Sequence, residues 1–377
     1  MKGDDATATR ALRVLIAGGG TGGHVFPAIA IAQAIRERRP DAEIVFVGTK
    51  AGVECRAVPH AGFNLRIIWI SGFARHRLWK NLTLPVKLLV SLWQCLRILR
   101  TFKPHIVIGT GGYAMGPVLL MAQKLGYPTI LQEQNSLPGV TTRKLAGTAQ
   151  VVCVGFADAI SRLRNARTEH TGNPVRREFR LLDRGAARSA WPLASSRQTL
   201  LVFGGSLGAR SVNEAIAAAL PELLGEFNLI WQTGRSGVPS SVDREALHTA
   251  RTAAHLIVLD FIDDMPSAYV AADLAVCRAG AMTLAELALA GLPAILIPYP
   301  HAADDHQTLN AQSVVAAGAA VQIADSDLSG SRLATEIRAL VRDQARLRAM
   351  STAMRQLGKP NAADDIAAIA LRLARPS

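Results

Sequence analysis

The sequence predicts an α/β protein of two domains, each built on a doubly wound parallel sheet. One plan of short apolar strand, glycine-rich turn and helix occurs twice: Leu12–Ala17 precedes Gly18–His24, and Gln198–Phe203 precedes Gly204–Ala209. The two copies begin 186 residues apart in a chain of 377 residues, which is about half its length. Because parallel strands need long crossovers, strands that alternate with helices indicate two Rossmann-like domains.

Eight further strands are predicted from short runs of apolar residues bounded by turn residues. These runs alternate with stretches of helical character, as a doubly wound sheet requires. The predicted strands are Glu43–Val47, His105–Ile108, Pro128–Leu131, Val151–Val154, Leu229–Gln232, Leu256–Leu259, Leu274–Cys277 and Ala294–Ile297.

The chain divides into two domains and a terminal helix. The first domain is predicted over residues 1–173, because Pro174 disfavours a helix at this point and marks a linker. The second domain is predicted over residues 174–357. Residues 358–377 are expected to form a helix that packs back across the body, with Asn361 as its N-cap and arginines in its last turn.

Composition excludes several classes of protein. With 49% hydrophobic and 19% charged residues, the chain is too apolar for intrinsic disorder. Its four cysteines have no CxxC spacing, which is typical of a reduced compartment and disfavours a thiolate zinc site. The apolar run Val14–Ala17 is too short for a secretory signal, and the uncharged stretch Pro104–Gln123 contains six Gly and Pro residues, which disfavour a transmembrane helix.

The positive charge is concentrated in one segment. Residues 55–132 contain ten Lys or Arg residues and no Asp or Glu, so they account for ten of the chain's thirteen net positive charges. This segment is therefore expected to face an anionic partner, which is either a nucleic acid or an anionic membrane surface.

An amphipathic stretch within this segment, Leu78–Leu99, favours the membrane. Its broad apolar face and flanking bases are typical of a helix at a membrane surface, although a core helix with solvated ends remains the alternative. Nucleic acid is disfavoured, because no RNP, KH or zinc-finger pattern occurs. The polar stripe of the predicted helix is Lys87, Ser91, Gln94 and Arg97. The predicted membrane-associating residues are Leu78, Trp79, Lys80, Lys87, Leu88, Leu92 and Trp93.

The first glycine turn has the GxGxxG spacing of a dinucleotide-binding loop over Gly18–Gly23. A dinucleotide fold also needs an acid at the end of its second strand, and Phe46–Thr49 contains none, so NAD is disfavoured. Such a turn still lets backbone N–H groups approach an anion or a sugar oxygen, although tight strand-to-helix packing explains it equally well. His24 lies in the first turn of the helix, where the positive helix end favours a neutral ring; it is a candidate general base or a structural histidine.

The second half carries two more turns, Gly204–Arg210 and Arg278–Glu286. Neither is a P-loop, because no Gly-Lys-Ser/Thr sequence occurs. The later turn begins a helix after a strand and offers N–H groups and Thr283 to a diphosphate. Glu286 can accept hydrogen bonds from a ribose diol, or it only complements the helix dipole.

Two acidic clusters are weak candidates for a metal site. Asp263-Asp264 precedes Pro266, and the start of a helix explains it better than a metal does. Asp304-Asp305-His306 has no further ligand to support it. We therefore expect neither a metal nor a cofactor.

Eight motifs extend, in order, from the first glycine turn through the second domain. They are GGGTGGHVFPAIAIA at Gly18–Ala32, GTGGYAMGP at Gly109–Pro117, QEQN at Gln132–Asn135, GNPVR at Gly172–Arg176, GGSLGAR at Gly204–Arg210, FIDDM at Phe261–Met265, RAGAMTLAE at Arg278–Glu286 and HQTLNA at His306–Ala311. Together they resemble the MurG family, which adds N-acetylglucosamine (GlcNAc) from UDP-GlcNAc to undecaprenyl-diphospho-muramoyl-pentapeptide and so converts lipid I to lipid II. The resemblance implies a GT-B fold of two Rossmann-like domains facing across a cleft. The acceptor and the membrane would lie on the first domain, and the UDP-sugar mainly on the second.

The resemblance also implies a set of donor-binding residues. In it the main chain of Ile262 faces uracil and Glu286 faces the ribose, while Asn135 and Gln307 face the sugar. The diphosphate would lie at Ser206 and the turn that begins at Ala281. Departures from the family pattern at Leu207, Met282 and His306 affect the diphosphate and sugar contacts. The implied substrate-binding residues are Thr21, Gly22, Gly23, Asn135, Arg176, Ser206, Ile262, Ala281, Met282, Thr283, Leu284, Ala285, Glu286 and Gln307.

The expected mechanism is an inverting displacement, in which the muramoyl 4-hydroxyl attacks the anomeric carbon while UDP departs. His24 is the first candidate base and Glu133 the second. Another UDP-sugar enzyme, such as a 2-epimerase or a glycolipid synthase, and a membrane-binding module without a sugar site are the alternatives. The expected partners are UDP-GlcNAc, lipid I, an anionic membrane surface and other cell-wall synthesis proteins, without nucleic acid. The expected location is peripheral, on the cytoplasmic face of the inner membrane.

Overall fold

The chain forms two compact units. The computed structural model describes residues 11–72, 83–175, 177–180, 183–205 and 207–374. Unit 1 takes in residues 1–134, 138–176 and 361–377, and unit 2 takes in residues 135–137 and 177–360. The last helix of the chain therefore belongs to unit 1.

Unit 1 alternates strands with helices. In chain order its described elements before unit 2 are β1 (Arg13–Gly18), α1 (Gly22–Arg38), β2 (Glu43–Gly48), α2 (Glu54–His60), β3 (Asn64–Ile67), α3 (Leu84–Phe102), β4 (Ile106–Gly111), α4 (Met115–Lys124), β5 (Thr129–Glu133), α5 (Val140–Leu145), β6 (Val151–Val154), α6 (Asp158–Ser161) and β7 (Thr168–Glu169).

Unit 2 repeats this alternation, and one further helix returns the chain to unit 1. The elements are α7 (Arg184–Ser189), β8 (Thr199–Phe203), α8 (Arg210–Glu226), β9 (Asn228–Gln232), α9 (Arg244–Thr252), β10 (Leu256–Leu259), α10 (Met265–Ala271), β11 (Leu274–Cys277), α11 (Ala281–Ala290), β12 (Ala294–Leu296), α12 (His306–Ala316), β13 (Ala320–Gln322), α13 (Gly330–Arg342), α14 (Gln344–Leu357) and, in unit 1, α15 (Ala362–Leu373).

Both sheets are parallel and begin with the same strand order. The sheet of unit 1 runs β3-β2-β1-β4-β5-β6-β7, and that of unit 2 runs β10-β9-β8-β11-β12-β13. In each sheet the order reverses beside the first strand, which makes the carboxyl ends of β1 and β8 the topological switch points where such sheets bind ligands. The predicted fold class is confirmed.

The sheet of unit 1 is covered on both faces, which explains why β1 is an uninterrupted apolar run. Its side chains alternate between the faces: Val14 and Ile16 pack with α1 and α15, while Leu15 and Ala17 pack with α3 and α4. An ion pair of 2.7 Å between Arg38 Nη1 and Asp364 Oδ1 joins α1 to α15 at the surface.

The structure contains three strands that the sequence patterns did not predict, which are β3, β7 and β13. All three lie at sheet edges and span only two to four residues. Each of them contains at most one buried residue, so none carries a buried apolar run for a pattern to detect.

Helix α3 packs against unit 1 through Ser91, Cys95 and Leu99, which are all buried. The predicted polar stripe is therefore wrong at Ser91, which lies in the packed face, whereas Leu88, Leu89 and Trp93 of the predicted apolar face are exposed. The Ser91 hydroxyl donates to the carbonyl oxygen of Leu88 at 2.8 Å, which satisfies the buried group within the helix. No helix among the described residues is both long and apolar enough to cross a membrane.

Packing of α15 is expected to contribute strongly to the stability of unit 1. Ile366 is fully buried between α15 and β1 in the same core cluster as Val14. We expect Ile366→Ala to lower the free energy of unfolding by about 2–5 kcal/mol in a urea titration, because it opens a cavity. The matched control is Ile160→Ala on α6, which is 40% exposed and should change it by less than about 1 kcal/mol. Equal effects of the two substitutions would contradict this packing.

Candidate active site

The glycine turns after β1 and β4 pack against each other at the switch point of unit 1. Gly20 and Gly112 have φ angles of +89° and +77°, which favour glycine. A side chain at Gly112 would also collide with the carbonyl oxygen of Gly19. The two turns therefore form one backbone surface beside the first turn of α1.

His24 lies in that first turn, as predicted, and its ring is held by two acceptors. Its Nδ1 lies 3.1 Å from the carbonyl oxygen of Thr110 and 3.1 Å from Oε1 of Gln134. The orientation of the Gln134 amide follows from its Nε2, which donates to the same Thr110 oxygen at 2.7 Å. Because both partners of Nδ1 accept, Nδ1 carries the hydrogen of the neutral ring and Nε2 carries the lone pair that a general base needs.

A network of buried side-chain amides holds Gln134 in place. Asn173 Nδ2 donates to the main-chain oxygen of Gln134 at 3.0 Å, and Gln132 Nε2 donates to Asn173 Oδ1 at 3.0 Å. The side chains of Gln132 and Gln134 also bond to each other. The predicted site includes none of these three residues, although the QEQN and GNPVR motifs contain them, because a motif does not reveal which side chain touches which.

Glu133, the second candidate base, is buried at the end of β5. Its Oε2 accepts a hydrogen bond from the N–H of Gly139 at 3.0 Å. The residue is only 4% exposed. This backbone contact fixes the carboxylate against the turn that precedes α5.

Glu54 is a residue of this half-site that the sequence-based reasoning missed. It is fully buried in the first turn of α2 and accepts three hydrogen bonds, from the N–H of Gly20 at 2.8 Å, the N–H of Thr49 at 2.9 Å and the hydroxyl of Thr49 at 2.8 Å. A side chain at Gly48 or Gly52 would collide with it. The carboxylate therefore occupies the end of β2, where a dinucleotide fold places the acid that holds ribose.

The environment of Glu54 keeps it ionised. Burial acts to raise its pKa, but the hydrogen bonds from Thr49 and Gly20 outweigh burial and lower the pKa below its ordinary value. The sequence did contain a signal for this buried acid. Glu54 is the last acid before the acid-free segment, and it lies just beyond Gly48-Thr49 at the end of β2.

In unit 2, the six predicted residues Ala281–Glu286 form the first two turns of α11. The N-cap is Gly280, which has no side chain to cap the helix. The carboxylate of Glu286 accepts a hydrogen bond of 3.0 Å from the hydroxyl of Tyr269 on α10. A helix N-terminus with a held carboxylate one turn further along can bind a phosphate and a diol side by side.

Ile262 is held through its main chain. Its N–H donates to Gln232 Oε1 at 2.9 Å, and Gln232 Nε2 donates to the carbonyl oxygen of Gly205 at 3.0 Å. Gln232 is buried at the end of β9 and was also missed. It ties the turn after β8 to the segment predicted to face uracil.

The two residues predicted to face the sugar, Asn135 and Gln307, are both connected to the start of α12. Gln307 Oε1 accepts from the N–H of Tyr299 at 2.9 Å. One turn later, the fully buried Asn310 donates to Asn135 Oδ1 at 3.1 Å and accepts from the N–H of Ser136 at 2.9 Å. Asn310 thus positions Asn135.

Arg278, immediately before the start of α11, joins three segments of unit 2. Its guanidinium pairs with Asp325 at 2.5 Å, donates to Ser211 Oγ at 2.9 Å and donates to the carbonyl oxygen of Pro298 at 3.1 Å. The side chain is only 11% exposed. Such a largely buried guanidinium with partners in three segments fixes the loops around the start of α11.

The two acidic clusters have local partners. Asp264 caps α10 by accepting from the N–H of Ser267 at 3.1 Å, which confirms the prediction of a helix start. Asp305 accepts from Thr308 at 2.7 Å, and Nδ1 of His306 lies 2.6 Å from the carbonyl oxygen of Ala303. Within the part of the chain that the structure describes, no three His, Cys, Asp or Glu side chains form a metal-binding group.

Five of the predicted residues lie outside the described residues. They are Leu78, Trp79, Lys80, Arg176 and Ser206. Leu207, one of the departures from the family pattern, is 65% exposed.

The outward side of α3 is an exposed apolar surface with cations along it. Lys87 Nζ lies 5.9 Å from the ring of Trp69, and the guanidinium of Arg97 lies 6.0 Å from the ring of Trp93. Leu92 is half-buried on the same helix. The α3 surface consists of Trp69, Val86, Leu88, Leu89 and Trp93, which are 44–69% exposed.

Comparison with known proteins defines the class. The N-terminal domain of glycosyltransferase family 28 matches residues 14–154, and the C-terminal domain of the same family matches residues 199–366. Two parallel α/β units of this kind are the architecture of the GT-B glycosyltransferases. The protein is a glycosyltransferase of this class.

Full-length relatives define the family. The chain is 41% identical over 368 residues to a protein of Bacteroides thetaiotaomicron and 42% identical over 366 residues to one of Moorella thermoacetica, with 96% of this chain and 98–99% of each relative covered. Both are named UDP-N-acetylglucosamine--N-acetylmuramyl-(pentapeptide) pyrophosphoryl-undecaprenol N-acetylglucosamine transferase. The crystal structure of Acinetobacter baumannii MurG is 30% identical, with a TM-score of 0.74 over 96% of this chain and 99% of that one. The chain belongs to the MurG family, which confirms the resemblance of the motifs.

The buried carboxylate of Glu54 generates a pH-dependent prediction. We expect Glu54→Gln to lower the thermal unfolding midpoint at pH 7, because one acceptor oxygen becomes an NH2 group and at least one of the three buried donors loses its acceptor, at a cost of about 1–3 kcal/mol. Because the folded-state pKa lies below 4.5, the stabilisation is present above that pH and is lost as pH falls through the folded value. The difference between the parent protein and the variant should therefore shrink below pH 4.5.

The control for this prediction is Glu43→Gln, which replaces an exposed glutamate of the same unit. It should leave the midpoint nearly unchanged at every pH. A difference between the parent protein and Glu54→Gln that stays constant from neutral to acid pH would mean that the ionised carboxylate is not the stabilising group.

Proposed function

We propose that the protein transfers GlcNAc from UDP-GlcNAc to the muramoyl 4-hydroxyl of undecaprenyl-diphospho-MurNAc-pentapeptide, with inversion at the anomeric carbon. This reaction converts lipid I to lipid II in peptidoglycan synthesis. The observation that carries the proposal is the 41–42% identity, over nearly the whole chain, to transferases named for this donor and this acceptor.

The donor nucleotide is assigned to unit 2 on electrostatic grounds. Both units have a glycine turn at the switch point, but the Gly20 N–H in unit 1 already donates to the ionised Glu54. A nucleotide diphosphate placed there would compete with an internal anion and be repelled by it. In unit 2 the start of α11 presents backbone N–H groups and the positive helix end, which favour a diphosphate.

The leaving group is stabilised by fixed dipoles in this proposal. As UDP departs, negative charge grows on its β-phosphate, and the N–H groups at the start of α11 stabilise it. Arg176, which the family resemblance implies as a donor-binding residue, adds a positive charge in this proposal. Preorganised donors of this kind each contribute roughly 2.7–4 kcal/mol where they have been removed from other enzymes.

His24 is the general base of the proposed mechanism. Its Nδ1–H is committed to Thr110 and Gln134, so Nε2 takes the proton from the attacking 4-hydroxyl. Glu133 is the less suitable base, because its buried carboxylate is anchored to the N–H of Gly139.

The α3 surface docks the protein on a membrane in this proposal. Its exposed tryptophans and leucines can enter the interface between headgroups and acyl chains, while Lys87 and Arg97 beside them attract anionic lipid. Unit 1 is thereby the half that meets the lipid-linked acceptor. The location that follows is the cytoplasmic face of the inner membrane, where the other cell-wall synthesis proteins of the pathway are candidate partners.

The function is tested by incubating the protein with UDP-GlcNAc and a lipid I analogue. The proposal expects release of UDP and a product heavier than the acceptor by one N-acetylhexosamine residue. Release of UDP that does not depend on the acceptor, with an epimerised sugar, would assign a 2-epimerase instead. Binding to vesicles with no release of UDP would leave only a membrane-binding module.

The role of His24 leads to a kinetic prediction. We expect His24→Ala to lower kcat by about 10²–10⁴-fold, because the substitution removes the proton acceptor. The acidic limb of the pH–rate profile should disappear with it, while the affinity for UDP, measured by calorimetry, stays unchanged. His60→Ala, which replaces an exposed histidine of the same unit, is the control. A loss of less than about tenfold with an unchanged pH profile would rule out His24 as the base.

The α3 surface leads to a prediction on membrane binding. We expect Leu89→Glu to reduce binding to phosphatidylglycerol vesicles by about tenfold or more in a sedimentation assay, because it puts a negative charge on the most exposed leucine of the surface. Val140→Glu, at a 50% exposed position of unit 1 outside this surface, is the matched control. Equal binding by the two variants would place the membrane contact elsewhere.

A further inference from the structure

Tyr269 has its ring buried in the core of unit 2 and its hydroxyl bonded to Glu286, the residue predicted to face the ribose. Tyr269 on α10 is 1% exposed. Its ring meets Phe203 edge to face at a centroid distance of 5.5 Å and Phe179 at 5.6 Å. Packing on two sides leaves the ring little freedom, so the position of the hydroxyl is fixed by the core of unit 2.

The hydroxyl of Tyr269 contacts Glu286 on α11. It donates its hydrogen to Oε2 of the Glu286 carboxylate at 3.0 Å. A carboxylate can only accept, so the phenol is the donor and the bond ties the carboxylate to a ring that the core holds in place.

The phenol stays protonated and so remains a donor. Burial, followed by the negative charge of Glu286, raises the pKa of Tyr269 well above its ordinary value. The bond to Glu286 is therefore a charge-assisted one, which is stronger than a bond between neutral groups.

We propose that Tyr269 is a positioning residue for the donor nucleotide, which aims the Glu286 carboxylate at the ribose. The inference rests on the proposed function, in which Glu286 binds the ribose diol and the start of α11 binds the diphosphate. A half-buried glutamate has several rotamers, and the rigid phenol selects one of them before the nucleotide arrives.

The variant that tests this is Tyr269→Phe, which keeps the ring and removes only the hydroxyl. We expect the Kd of UDP, measured by calorimetry, to rise by about tenfold, the usual effect of losing one hydrogen bond to a charged group. The KM for UDP-GlcNAc should rise by a similar factor, while kcat at saturating donor and the KM for the acceptor stay unchanged. The matched control is Tyr127→Phe, which removes a hydroxyl that donates to the carbonyl oxygen of Leu99 in unit 1, and it should leave the Kd of UDP unchanged.

A double-mutant cycle with Glu286→Ala distinguishes positioning from a merely structural role. If Tyr269 acts through Glu286, adding Tyr269→Phe to Glu286→Ala should weaken UDP binding by less than about twofold further. Additive losses, or a Tyr269→Phe variant that binds UDP like the parent protein while Glu286→Ala does not, would overturn the inference. An unchanged UDP affinity of Glu286→Ala would instead refute the ribose contact in the proposed function.

A comparison of two nucleotides distinguishes a loss of positioning from a general loss of stability in the variant. The parent protein should prefer UDP over 2′-deoxy-UDP, because Glu286 accepts from the ribose hydroxyl. In Tyr269→Phe this preference should shrink by the same factor of about ten. General loosening of unit 2 would weaken both nucleotides equally, and that result would reject the positioning role.

Discussion

The different roles proposed for the two units depend on one interaction. The buried carboxylate of Glu54 accepts a hydrogen bond from the N–H of Gly20 in the first glycine turn. Both sheets have the same strand order around the switch point, so each unit presents a glycine turn at an equivalent place. In unit 1 that place holds an internal anion, bonded to Gly20 and Thr49. Among the described residues of unit 2, no carboxylate is buried to the same degree. Two similar folds thereby have different electrostatics, which is why the proposed function assigns the nucleotide to unit 2.

Three residues of the proposed donor site, Glu286, Ile262 and Asn135, are each bonded to a buried polar side chain of unit 2. Tyr269 holds Glu286, Gln232 holds Ile262, and Asn310 holds Asn135. Groups fixed in this way need little reorganisation when a nucleotide binds or when charge develops on the leaving diphosphate.

The sequence predicted what depends on burial and on local turns, and it missed what depends on contacts between distant residues. The central strands were predicted because they are covered on both faces, whereas β3, β7 and β13 contain at most one buried residue each and lack that pattern. His24 and Glu286 were predicted near helix starts, which are visible in the sequence, and the structure places them in the first two turns of α1 and α11; their roles stay predictions. Glu54 lies 34 residues from Gly20, and no periodicity reports their contact. Ser91 was misplaced because its hydroxyl is satisfied within its own helix.

The most direct measurement is a crystal structure of the protein with UDP bound. Our account predicts the diphosphate at the N-terminus of α11, with the ribose hydroxyls on Glu286, and Glu54 still bonded to the N–H of Gly20. A diphosphate bound on the Gly20–Gly23 turn, with Glu54 displaced, would contradict the claim that unit 1 excludes the nucleotide by its own buried charge.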